Sequence, residues 1–105
     1  MPELRSRPTL SDFQMYVREL EAERGFSAQT PVEKCLLMGE EVGELFKAVR
    51  KAEGIAIEPG ARVGGIGEEL SDILIFLCSI ANRYGIDLEQ AFRAKEEVNK
   101  TRRWA

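Results

Sequence analysis

The sequence contains no histidine. That absence removes Ser-His and Cys-His nucleophiles, zinc sites of the histidine type, and the Glu-x-x-His di-iron bundle. Cysteine is scarce, with only two residues, Cys35 and Cys78. Both fall among apolar residues in predicted helices, so two buried reduced thiols are expected in place of a disulfide or a metal pair. Basic residues are not in excess: the formal charge is −3, and a nucleic-acid partner would need a basic face. A small anionic ligand would then need a local positive site or a metal. Long apolar runs are missing too, because the longest, Ile73 to Ile80, falls far short of the ~20 residues that cross a bilayer. The first residues, Met1-Pro2-Glu3-Leu4-Arg5, have no apolar signal region. A cytoplasmic protein with no membrane partner is expected.

What is present is helical. The 105 residues fit one domain, 1–105, near the size where a single core is adequate but not generous. Thr9 can cap a first helix that runs to about Arg24, where Gly25 suits a left-handed stop, and Leu10, Phe13, Val17 and Leu20 give it an apolar stripe. Thr30-Pro31-Val32-Glu33 is a capping box with proline in the first turn, opening a second helix to about Glu53. The glycine-rich segment Gly54 to Gly65 reads as a mobile loop whose only cation is Arg62. A third helix, Ile66 to Tyr84, is apolar on every side of its middle and should be buried all round. Asp87 and Gln90 begin a fourth, with Leu88, Ala91, Phe92 and Val98 as its core face. The fold class is therefore all-α, a four-helix bundle-like domain.

Two helices carry acids in a pattern that points inward. Each helical residue advances about 100°, so Glu40, Glu41 and Glu44 share one face of the second helix. Glu69 and Asp72 lie three apart on the third, in line with Phe76 and Ile80. Carboxylates converging in an apolar bundle repel unless a cation neutralises them. With only oxygen donors, Mg²⁺ is the expected occupant and Mn²⁺ the next. The alternative is a solvated face on which Glu40, Glu41 and Glu44 pair with Lys47 and Lys51. Gly39 and Gly43 interrupt the same helix at roughly 1 kcal/mol each relative to alanine, which suggests close approach of another backbone. On the last helix Lys95, Asn99 and Arg102 stand at i, i+4 and i+7, a row able to engage phosphate or sugar oxygens.

Glu40-Glu41-Val42-Gly43-Glu44 followed by Glu69-Leu70-Ser71-Asp72 resembles the EExxE…ExxD pattern of the MazG-like all-α nucleotide pyrophosphohydrolases. The resemblance continues through Tyr84-Gly85-Ile86-Asp87-Leu88 to Lys95, Asn99 and Arg102, so it spans about Pro31 to Arg102. It implies hydrolysis of a nucleoside triphosphate between the α and β phosphates, giving the monophosphate and pyrophosphate. Carried over by position, Glu41, Glu44, Glu69 and Asp72 would be Mg²⁺ ligands. Glu40 would act beside Glu41 as general base, outer group or ligand of a second metal. The resemblance also implies a homodimer or homotetramer. Members that cleave dCTP typically carry Trp and His near the base, whereas the one tryptophan here is Trp104. Phe13 and Phe26 are candidates for stacking on a base, with core packing as the alternative. The rival functions are a phosphoribosyl-ATP pyrophosphohydrolase and, from another class, a helical interaction module without activity.

Overall fold

A computed structural model describes residues 1–103, and Trp104 lies outside the described residues. The described residues form four helices: α1 Leu10–Arg24, α2 Pro31–Ala52, α3 Ile66–Arg83 and α4 Leu88–Lys100. No strand occurs among the described residues. Local chemistry sets the starts: Thr9 and Thr30 each accept a hydrogen bond from the third helical residue, whose own carboxylate accepts from the threonine backbone N–H. These reciprocal bonds satisfy donors that a helix start leaves unpaired. Asp87 caps α4 by accepting from Gln90 N at 2.9 Å. Gly25, at φ 77°, closes α1, and Gly85, at φ 63°, makes the turn from α3 to α4; both conformations are cheap only without a Cβ.

Helices α2 and α3 form the closest pair, α1 packs on α3, and α4 rests chiefly on α1. The core is the stripe of α1 against α3: Val17, Leu20 and Cys78, bordered by Phe13, Tyr16, Leu74 and Leu88. Burial pushes the Cys78 thiol up from its ordinary value, so it packs as a neutral apolar group. A polar tie fixes α1 to the α3–α4 turn. The Gln14 amide donates to Asn82 Oδ1 at 3.1 Å and to Ile86 O at 2.8 Å, and its oxygen accepts from Leu88 N at 2.9 Å.

Four expectations are corrected. Helix α3 is not buried all round, because Leu70 and Leu77 are 52% and 43% exposed. On α4 only Leu88 reaches the core; Ala91, Phe92 and Val98 are exposed, since the helix touches little beyond α1. Cys35 is exposed, lying on the outer side of α2. Among the described residues outside α2's own neighbouring backbone, nothing stands within 4 Å of a Cβ built on Gly39 or Gly43, so no other described segment approaches them.

Candidate functional site

The α2·α3 pair brings acids from both helices together. Glu41, Glu69 and Asp72 each place a carboxylate oxygen within 4.8 Å of the others. Glu69 sits in the first turn of α3 and Asp72 a turn later, so the helix N-terminus offers its positive end to the group. Among the described residues none of the three is in a salt bridge. Desolvation pushes the Glu41 carboxyl up from its ordinary value, helped by contact with the Glu69 carboxyl and the charges of Asp72, Glu69 and Glu44.

Two details of Glu69 suit a cation. Its Oε2 is buried without a hydrogen-bond partner, and a lone buried carboxylate oxygen is costly unless something positive meets it. Its Oε1 lies against Gly64, so close that a Cβ there would collide with it. The last residues of the loop therefore shape the place the carboxylate occupies. The donor set is oxygen alone, the chemistry that hard divalent ions prefer.

The other acids of α2 stand differently. Glu44 does not join the tight trio; it lies near enough to raise Glu41 and pairs with Lys47 at 3.6 Å. Glu40 is exposed beside Glu41 and enters no ion pair among the described residues.

A cavity of about 230 Å³ runs from Glu41 and Asp72 to Phe26, Lys34, Phe76 and Glu21. Phe26 is half-exposed on this cavity, while Phe13 packs against the core. Its far end holds a charge network that sequence reasoning missed. Glu21 accepts from Lys34 Nζ at 3.1 Å, from Arg83 Nη1 and Nη2 at 3.1 and 2.9 Å, and from Ser79 Oγ at 3.0 Å. Burial alone would raise the Glu21 carboxyl, but bonds from Arg83, Lys34 and Ser79 outweigh it and hold the group below its ordinary value. Arg83 also donates to Phe26 O and Gln29 O at 3.0 and 2.7 Å, which pins the α1–α2 connection. A signal was present in the sequence: Lys34 precedes Glu41 by seven residues on the same face, and Glu21 follows Val17 by four within the apolar stripe.

The α4 row is not brought to the acids within one chain. No α4 residue lines the cavity of Glu41 and Asp72. Lys95 is exposed, Asn99 donates to Glu96 Oε2 at 2.7 Å while its Oδ1 is buried without a partner, and Arg102 is exposed. Arg62, in the loop, is exposed.

Known proteins similar to this chain bear on the meaning of the site. The family model described as "MazG nucleotide pyrophosphohydrolase domain" matches residues 16–103. The chain is 37% identical over 103 residues to dCTP pyrophosphatase 1 of Bos taurus, covering 92% of this chain and 60% of the relative. It is 35% identical to the Homo sapiens protein of the same name, covering 90% and 59%. The chain thus spans about 60% of the length of these curated relatives. Among solved structures, iMazG from Vibrio DAT 722 superposes with a TM-score of 0.63 at 30% identity, covering 89% of this chain and 99% of that one. With its family model matched across α1 to α4 and its fold shared with iMazG, the chain belongs to the MazG nucleotide pyrophosphohydrolase domain family.

Proposed function

We propose that this chain hydrolyses a nucleoside triphosphate between the α and β phosphates, using Mg²⁺ held by Glu41, Glu69 and Asp72 with Glu44 beside them. The observation that carries the reading is the unneutralised trio, with an orphaned oxygen on Glu69. A bound Mg²⁺ would offset charge on the phosphoryl oxygens and lower the pKa of water. Glu40 and Glu41 are the carboxylates we assign to accept a proton from that water. Arg83 fixes the connection that carries Phe26, and so sets one wall of the cavity. The curated relatives bear the name dCTP pyrophosphatase 1, which makes dCTP the first substrate to try. Mn²⁺ is the expected substitute metal.

The active form is a homodimer or homotetramer. Supporting this, Leu36 and Phe46 on α2, Leu77 on α3 and Phe92 on α4 are exposed apolar residues on a small chain. The open space at Gly39 and Gly43 leaves room for a second copy. A second copy would also bring its row of Lys95, Asn99 and Arg102 to triphosphate held by the acids of the first. The test of the activity is pyrophosphate release from a panel of nucleotides with and without Mg²⁺; no release from any nucleotide would sink the reading. Light scattering showing a folded monomer at micromolar concentration would remove the oligomer.

A further inference from the structure

The cavity that holds Glu41 and Asp72 has a wall that metal binding does not use. Phe26 and Phe76 stand on it with Lys34. The Lys34 ammonium lies over both rings, 5.3 Å from the centroid of Phe26 and 5.5 Å from that of Phe76. The residue is only 4% exposed, yet its single polar partner among the described residues is Glu21 Oε2 at 3.1 Å. An ammonium has three N–H donors. The contact with Glu21 Oε2 uses one of them. Glu21 has little more to give, because its oxygens already accept from Ser79 and from both arms of Arg83. The network thus fixes the position of an ammonium, with donors beyond the one directed at Glu21, at the edge of a cavity.

We infer that Lys34 reads the base of the nucleotide, donating from the cavity wall to a carbonyl oxygen on the base edge. This rests on the hydrolase reading above and adds a specificity-determining residue to it. The surroundings favour a base over a phosphate. Two phenylalanine side chains give this wall an apolar character that suits a planar heterocycle, whereas a phosphate against it would lose hydration and face the Glu21 carboxylate. A carbonyl suits an ammonium because it projects beyond the ring and offers lone pairs to an N–H donor. Cytosine, thymine, uracil and guanine carry such an oxygen, and adenine carries none. An ammonium is a donor only, so it also disfavours an exocyclic amino group placed against it.

The experiment compares kcat/KM for dCTP, dTTP, dGTP and dATP at saturating Mg²⁺ in the wild type, Lys34→Met and Lys34→Arg. Lys34→Met keeps the stem length and leaves Glu21 bonded to Arg83 and Ser79. Lys34→Arg keeps the pair with Glu21 and so guards against a folding defect, which circular dichroism checks. For the wild type, dATP should be the poorest of the four. In both variants the best carbonyl-bearing substrate should lose roughly ten- to hundredfold, the range of a hydrogen bond to a charged group, while dATP loses far less. The preference then collapses. An equal proportional loss on all four nucleotides would overturn the inference alone, assigning Lys34 to phosphate or to structure. A wild type that cleaves dATP as well as its best substrate would overturn it without any variant. A wild type that cleaves none of the four would overturn the hydrolase reading, and the inference with it.

Discussion

One end of the cavity holds a single carboxylate, Glu21, gripped by Lys34, Arg83 and Ser79; the other gathers Glu41, Glu69 and Asp72, none of them in an ion pair among the described residues. The first draws on α1, α2 and α3 and the second on α2 and α3 alone, and each has a buried carboxylate, Glu21 and Glu69. They differ in balance. In the first the carboxylate is neutralised within the fold, by two cations, and is lowered; in the second the carboxylates are not, and Glu41 is pushed up. A balanced buried cluster fixes geometry, whereas an unbalanced one leaves a demand that only a ligand meets.

Breaking the balanced end should have the largest effect on the fold. Glu21→Ala leaves Lys34 and Arg83 buried without their carboxylate and should cost about 3–5 kcal/mol, a large part of a stability near 5–15 kcal/mol. Urea unfolding measures it, and a loss under 1 kcal/mol would show that the network is relaxed by water. At the unbalanced end the expected result is reversed. Glu41→Gln and Asp72→Asn should each lower activity by about a hundred- to thousandfold while helix content stays intact and stability without metal holds or rises as repulsion is relieved. A variant that retains most of its activity removes that residue from the site.

Gly64→Ala sharpens the contrast, because its methyl group would displace the Glu69 carboxylate without touching the Glu21 network. Mg²⁺ affinity should fall by about tenfold, as for other residues that orient a ligand, with thermal stability little changed; calorimetric titration reads it, and unaltered affinity would mean that Glu69 swings freely. The smallest effect is on pH dependence. Glu21 is held below its ordinary value of 4.5, so the folded chain binds fewer protons than the unfolded chain between the two values. Its contribution is full above about pH 4.5 and is lost as pH falls through the folded value. Glu21→Gln should therefore flatten that part of the acid limb in urea midpoints measured from pH 6 to 3, and an unchanged slope would place the acid sensitivity elsewhere.

Much of this architecture is written locally. The capping boxes at Thr9 and Thr30, the stops at Gly25 and Gly85 and the helical spacing of the acids act within a few residues, so their positions are readable from spacing alone. The balanced network is tertiary: Glu21, Lys34 and Ser79–Arg83 come from three helices, and only the intrusion of Glu21 into an apolar stripe hints at it. Periodicity also marks a face for burial without naming what buries it. The apolar sides of α3 and α4 were legible, but Leu77, Phe92 and Val98 are not covered by this chain. Cys35 shows the same limit, since apolar neighbours in sequence lie on several sides of a helix.

The most direct test of the central claim is the melting temperature of the protein as Mg²⁺ is added, for the wild type and for a Glu41→Gln/Asp72→Asn double variant. If the unbalanced acids form the metal site, the wild-type midpoint climbs with Mg²⁺ and saturates, as binding to the folded state requires, and the double variant starts at or above the wild-type value and does not respond. A wild type indifferent to Mg²⁺, or a double variant that climbs as steeply, would contradict the account.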